Sequence, residues 1–323
     1  MAETATQIEL DGQYRALREE AGFLVRERGA LLVSGPDATG YLQSQLTNDF
    51  EAVEPDRGCY AALLDRKGHL VADMRALRLS HAHSGAIWLD TEPVASEPLR
   101  KHLEMYKIGR DVEVADATED WVITTLIGPA SGEAAGVPPL APEHAQHYAE
   151  RDGIEILAVA TDQGLDLITR PDAVDSVRRQ LIAAGAVHLS EEAAEIIRVE
   201  SGRPRFGLDM GPESMPAEAG IVERAVDFEK GCYIGQEPVA RLHYRGKPNR
   251  RLRGLRLSAP AAHGDPLFLG DREVGTIGSS CLSPAHGPIA LAIVRREAAD
   301  GERLAVGGGG GATAELVELP FST

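Results

Sequence analysis

The stretch Lys230-Gly231-Cys232-Tyr233-Ile234-Gly235-Gln236-Glu237, continued by Pro238-Val239-Ala240-Arg241, constrains the fold more than any other part of the chain. Two glycines frame a cysteine, and glycine allows backbone conformations closed to other residues. Pro238 suits a first helical turn, so the segment is expected to run from loop into helix, with Gly235 to Glu237 at the helix start. The same residues carry chemistry. Lys230 can favour the thiolate of Cys232, the form that reacts. Gln236 offers donor and acceptor, and Arg241 offers a planar fork for carboxylates. The plainer alternative is a small buried thiol in a glycine turn.

At 323 residues the chain has room for two or three domains. Aromatic residues make up only 5%, so the cores must be built from Leu, Val, Ile and Ala. A formal charge of −17 argues against a general binder of nucleic acid or anionic membrane, while leaving room for a local basic site. Cys59, Cys232 and Cys281 lie far apart with no C-x-x-C pair, a poor framework for disulfides, zinc or an iron–sulfur cluster. No metal site is expected. Reduced thiols fit the cytoplasm. The opening MAETATQIEL lacks the basic and apolar regions of a signal peptide, and no apolar run approaches the roughly 18 residues of a membrane span.

Local patterns then place the elements. Helices are expected over 11–20, from Pro36 to Leu46, over Pro93–Tyr106, over Asp172–Ala184 and over Ser190–Ser201, the last with Ser190 as N-cap and Gly202 as stop. Strands are expected over Phe23–Val33, Ile87–Asp90, Val112–Val114 and Trp121–Ile127. Cys59–Asp65 with His69–Leu79 reads as a hairpin around Arg66-Lys67-Gly68, and Ile154–Ala160 with Leu165–Thr169 as another. Residues 128–142 read as loop and short helix. Arg203–Val226 reads as a long ordered loop, a length that points to function.

From Arg241 to Arg256 the charge inverts: Arg241, Arg245, Lys247, Arg250, Arg251, Arg253 and Arg256 occur without one acid. From Arg253 onward short apolar runs alternate with turns, as in a small antiparallel barrel. Gly307–Gly311 reads as a flexible hairpin loop and not a phosphate loop, since no lysine follows. His81-x-His83 reads as solvated loop. No glycine-rich strand-to-helix turn supports a doubly wound nucleotide fold.

The segment Lys230 to Arg241 resembles the signature of the YgfZ family of folate-binding proteins, relatives of the glycine-cleavage T-protein. Gly35 to Asp49 is similar to that family's GPDAxxFLQxQLTND segment, which contains Asn48. Arg198 to Met210 resembles the T-protein segment LRLEAGxxLYGxD, and Pro216-Ala217-Glu218-Ala219 a shared P-x-E-A element. The resemblance implies an α+β, three-lobed GcvT-like fold. Two interleaved α+β lobes over 1–245 and a C-terminal β-barrel over 246–323 would surround a central folate site. It implies tetrahydrofolate or a derivative as cofactor, with Glu200 against the pterin and Asn48, Gln236 and Arg241 as further binding residues. Arg245, Arg250 and Arg251 are the expected contacts of a polyglutamyl tail.

The candidates for chemistry are Cys232, Lys230 and Asp73. T-proteins carry paired aspartates where this chain reads Val71-Ala72-Asp73-Met74, and they lack the Lys230-x-Cys232 element. The expected function is a tetrahydrofolate-binding accessory protein that supports iron–sulfur cluster assembly or repair in client enzymes. The alternatives are a folate-dependent aminomethyl transferase or demethylase, and a folate-free scaffold. The expected partners are reduced folate and iron–sulfur client or assembly proteins, with neither membrane nor nucleic acid.

Overall fold

Proline and glycine punctuate the chain where helices start and stop. Pro93 opens α3 (Pro93–Tyr106), whose buried face is Ala95, Leu99 and Leu103, spaced four apart. Ser190 caps α6 (Glu191–Glu200), its Oγ accepting from Ala193 N at 3.2 Å. The computed structural model describes residues 2–80, 84–307 and 311–322. His81-x-His83 and the middle of the glycine run, 308–310, lie outside the described residues.

Before α3 come α1 (Ala2–Glu19), β1 (Gly22–Arg26), β2 (Gly29–Ser34), α2 (Ala38–Gln45), β3 (Arg57–Leu64), β4 (Leu70–Arg78) and β5 (Ile87–Thr91). Between α3 and α6 lie β6 (Glu113–Asp116), β7 (Val122–Ile127), α4 (Ser131–Ala135), β8 (Gln146–Arg151), β9 (Ile154–Ala160), β10 (Gly164–Thr169), a 3-10 turn, α5 (Val174–Ala183) and β11 (Val187–His188). After α6 follow α7 (Val222–Ala225), α8 (Gln236–Arg245) and the strands β12 (Arg250–Leu257), β13 (Pro266–Leu269), β14 (Arg272–Ser283), β15 (Gly287–Arg295), β16 (Arg303–Val306) and β17 (Thr313–Val317).

Four expectations change, one being that the loop expected over Arg203–Val226 contains the short helix α7. The first helix begins at Ala2 instead of 11. The strand expected over 23–33 is two strands, broken at 27–28, where Arg28 turns aside to pair with Asp90 and Glu92. β8 was not foreseen; it pairs antiparallel with β9, Gln146 opposite Val159.

The chain divides into two compact units. One is Met1–Leu63, Ala72–Ala193 and Glu229–Tyr233; the other is Leu64–Val71, Ala194–Phe228 and Ile234–Thr323. In the first unit, one sheet has the order β11-β1-β7-β10-β9-β8 and the other β3-β4-β5-β2-β6. Their shared core joins Ala30, Leu77 and Trp88 from the second sheet to Ile123, Val159 and Ile168 from the first. Val177 and Leu181 of α5 join the apolar cluster around Leu126 and Leu167. Each fully buried side chain of this size contributes roughly 1.5–3 kcal/mol through area removed from water.

A charged network joins the two sheets. Arg75 on β4 donates to Asp90 of β5 at 2.8 Å and to Asp166 of β10 at 2.6 Å. Trp88 Nε1 also donates to Asp90 (3.0 Å), and Thr125 Oγ1 to Asp166 (2.7 Å). Burial opposes ionisation of Asp90, but Arg75 and Arg28 outweigh it and hold the carboxyl below its usual range.

In the second unit, β12-β15-β14-β13-β16-β17 close into a barrel filled by Leu255, Leu267, Ile277, Leu304 and Leu316. The fold is α+β with a C-terminal barrel. Val199 of α6 packs with Ile289, Leu291 and Phe321. The 203–226 stretch is ordered by polar contacts: Asp209 accepts from Arg198 (2.8 Å), Ser279 N (2.7 Å) and Arg205 N (2.9 Å).

Candidate functional site

The C-terminal end of α2 leaves carbonyls without intrahelical partners and carries the negative end of the helix dipole. Lys230 fills that position. Its Nζ donates to Gln43 O (2.7 Å), Leu46 O (2.5 Å) and Asn48 O (2.9 Å), and the residue is only 8% exposed. The ring of Tyr233 lies 5.2 Å from the same nitrogen. An ammonium has three N–H bonds, and all three are held by main chain. Lys230 thereby has a structural task that the sequence did not announce: it clamps the signature loop onto α2.

Cys232 is exposed two residues further on, so the alternative of a buried small thiol does not hold. Lys230 also lies close enough to Cys59 to favour its thiolate. Burial nevertheless dominates there and pushes the Cys59 thiol up to about 12. Asn48 closes the turn after α2: its Nδ2 donates to Tyr60 O at 2.8 Å, and its Oδ1 accepts from Asp49 N at 2.9 Å.

Asp73 stands on β4 in the same unit. Tyr60 Oη donates to its Oδ2 at 2.7 Å, while its Oδ1 is buried without a hydrogen-bond partner. Burial raises the pKa of Asp73; the Tyr60 hydrogen bond and the nearby Arg28 pull the other way and do not offset it. Tyr60 was missed in the sequence. Equal steps outward from Lys67 set position 60 opposite 74, so no count along the hairpin leads from Asp73 to Tyr60.

The second unit holds the remaining candidates. Glu200, at the end of α6, is 4% exposed, and its Oε1 accepts from Ser283 Oγ at 2.5 Å. It is not a solvated helix acid. Gln236 begins α8, preceded by Gly235 with φ of 83°. A Cβ at Gly235 would lie 2.4 Å from Asp65 O, so only glycine fits. Arg241 and Arg245 are exposed on α8, and Arg251 is exposed on β12.

Arg250 departs from expectation. It donates to both carboxylate oxygens of Glu218 (3.1 and 2.9 Å) and to Glu213 O (2.7 Å). Its charge is already matched by a bidentate acid, so it is withdrawn from the expected tail contacts. Arg253 meets Asp300, and Arg256 donates to Ser322 O. Two of the run's seven charges are thus met by acids distant in sequence, Glu218 and Asp300. A cleft of about 770 Å³ in this unit, lined by the 207–214 loop, His263 and 273–278 of β14, corresponds to no sequence expectation.

Comparison with known proteins gives a consistent result. A family model described as the GCVT N-terminal domain matches residues 4–230. A second, the glycine cleavage T-protein C-terminal barrel domain, matches residues 250–322. An aminomethyltransferase of Rubrobacter xylanophilus is 28% identical over 97% of this chain and 86% of its own length. The tRNA-modifying protein YgfZ of Sodalis glossinidius is 30% identical over 77% of each chain. A chloroplastic relative from Arabidopsis thaliana is 29% identical over 86% of this chain, which spans 66% of its length. Among solved structures, the glycine cleavage system aminomethyltransferase T of Bartonella henselae superposes with a TM-score of 0.84 at 21% identity, covering 97% of this chain and 89% of its own.

Proposed function

Because the chain belongs to the GcvT/YgfZ family of folate-binding, aminomethyltransferase-like proteins, we propose that it binds tetrahydrofolate or a derivative and serves as an accessory protein for the assembly or repair of iron–sulfur enzymes. The observation that carries the folate reading is the orphan Oδ1 of Asp73. A buried carboxyl oxygen without a donor costs stability, and it suits a ligand that brings its own N–H. Reduced folate has such donors on its pterin, and when bound it supplies the nitrogens on which one-carbon units are carried. Asp73 would accept from the ligand, and Tyr60 would hold the carboxyl in place. The buried carboxylate of Glu200 is a second acceptor of the right kind.

The accessory role draws on Cys232, an exposed thiol on a loop whose backbone Lys230 fixes. Three free cysteines accord with a reducing, cytoplasmic setting. A second reading, aminomethyl transfer, draws on Asp73 itself, whose raised pKa suits a group that takes up and returns a proton.

Tetrahydrofolate at a hundredfold excess over its Kd should stabilise the protein by about 2.7 kcal/mol. Thermal melts of wild type and Asp73→Asn, with and without ligand, test this. No shift for wild type, or equal shifts for both, refutes the folate reading. Cys232→Ser should keep folate binding yet fail to restore iron–sulfur enzyme activity in a deletion strain. Turnover of an aminomethyl donor that Asp73→Asn abolishes would favour the second reading.

A further inference from the structure

The cleft of about 770 Å³ in the second unit is used by neither the barrel core nor the folate reading. Asp73, Glu200 and Cys232 are absent from its lining. Its size suits a small molecule, since ligand sites run from about 300 to 1,000 Å³.

The charged groups that line it sort into committed and uncommitted ones. Among the acids, Asp209 meets Arg198 and Ser279, and Glu213 Oε1 accepts from Ser214 Oγ at 3.2 Å. Glu273 is left. Among the cations, Arg250 is held by both oxygens of Glu218. Arg295 is left, and register sets it directly opposite Arg250, where a second like charge is unfavourable unless an anion joins it. Glu273 and Arg295 are both exposed, and neither side chain makes a hydrogen bond or ion pair among the described residues. They stand at the same end of the β14–β15 pair, since Gly275 opposite Val294 lies two residues from one and one residue from the other.

Two further groups point to a ligand. His263 donates from Nδ1 to Gly278 O at 3.0 Å, because a carbonyl can only accept, and this leaves Nε2 as a further acceptor. Leu208 stays 39% exposed, and Ile293 is half-buried on the outer side of β15, so the cleft also has an apolar wall.

We propose that this cleft binds a free α-amino acid with a large apolar side chain. Its carboxylate lies on Arg295, its ammonium on Glu273 and its side chain against Leu208 and Ile293. A planar guanidinium fork matches a carboxylate. A simple anion would leave Glu273 facing like charge, and a simple cation would do the same to Arg295. A zwitterion answers both. The inference rests on the second unit's cleft alone and stands apart from the folate reading.

Isothermal titration calorimetry of the full chain with L-phenylalanine is the test. Glycine keeps both charges without the side chain, while phenylpropionate and phenethylamine keep the ring with one charge each. Each of these should bind about tenfold more weakly than phenylalanine, or worse. Arg295→Ala should weaken phenylalanine and phenylpropionate about tenfold and leave phenethylamine unchanged, with Glu273→Gln doing the reverse for the two half-ligands. Leu208→Ser should cost about fivefold in phenylalanine affinity and nothing in glycine affinity. All three side chains are exposed, so circular dichroism melts should match wild type. No heat with millimolar phenylalanine, equal affinity for glycine, or full affinity in Arg295→Ala each overturns the proposal. Displacement of phenylalanine by tetrahydrofolate overturns it too, by making the cleft part of the folate site.

Discussion

Asp73 and Arg75 lie two positions apart on β4, on one face of the strand; Arg75 is buried, and Asp73 is half-buried with its Oδ1 shut off from solvent. Their surroundings differ completely. Arg75 gives hydrogen bonds to two carboxylates, and those carboxylates receive others from Trp88, Arg28 and Thr125. Asp73 has one donor, Tyr60, and one oxygen with none. A fully satisfied buried network rigidifies, whereas a half-satisfied one is costly and needs a reason to persist. One site joins the sheets of the first unit, and the other waits for a donor.

Removing an acid from the satisfied network should have the largest effect. Asp90→Ala leaves Arg75 and Arg28 short of a counter-charge, and loss of one partner from a buried pair costs about 3–5 kcal/mol. Urea unfolding followed by circular dichroism measures it; a loss under about 1 kcal/mol would mean that the network is no better knit than a surface pair. Lys230→Met should come next, at about 2–4 kcal/mol, since three carbonyls lose a charged donor together. Limited proteolysis of that variant should show cleavage near Cys232 that wild type resists. Equal protection would remove Lys230 from the structural group.

Asp73→Asn should have the smallest effect, of opposite sign: a gain of about 1–2 kcal/mol at neutral pH. The pH dependence separates the two acids. With its pKa raised, Asp73 lends stability that is complete below its unfolded pKa and is lost as pH rises through the folded value. Asp90, with its pKa lowered, lends stability that is present above the unfolded pKa and is lost as pH falls through the folded one. The advantage of Asp73→Asn over wild type should therefore grow from pH 4 to pH 8. A constant difference between their melting temperatures across that range would show that Asp73 does not titrate as described.

The fold was legible where punctuation is strong. Pro93, Ser190 with Gly202, and the turn at Arg66 to Gly68 each mark ends that the structure reproduces. β8 escaped because Gln146-His147-Tyr148-Ala149-Glu150-Arg151 is a polar sheet-edge strand with no apolar run to announce it. At the site, the positions of Lys230, Cys232 and Asp73 stood out in sequence, but the task of Lys230 did not. Its partners are main-chain oxygens 182 to 187 residues away, and a carbonyl has no residue type to recognise. Arg250 misled for a similar reason, since Glu218 lies 32 residues upstream, outside the acid-free run.

The closed barrel has a consequence for how the protein is made. Its first strand, β12, pairs with β15 on one side and with the last strand, β17, on the other, Gly254 opposite Val317. On a chain emerging from the ribosome, β12 appears first and must keep one edge open until residues 313–317 follow. Open edges of this kind recruit strands from other chains. The arginines that alternate along β12, exposed at 251 and half-buried at 253, thus face that interval as well as the finished fold. Charge on an open edge disfavours pairing with another copy, so these arginines would act before the ring shuts as well as after.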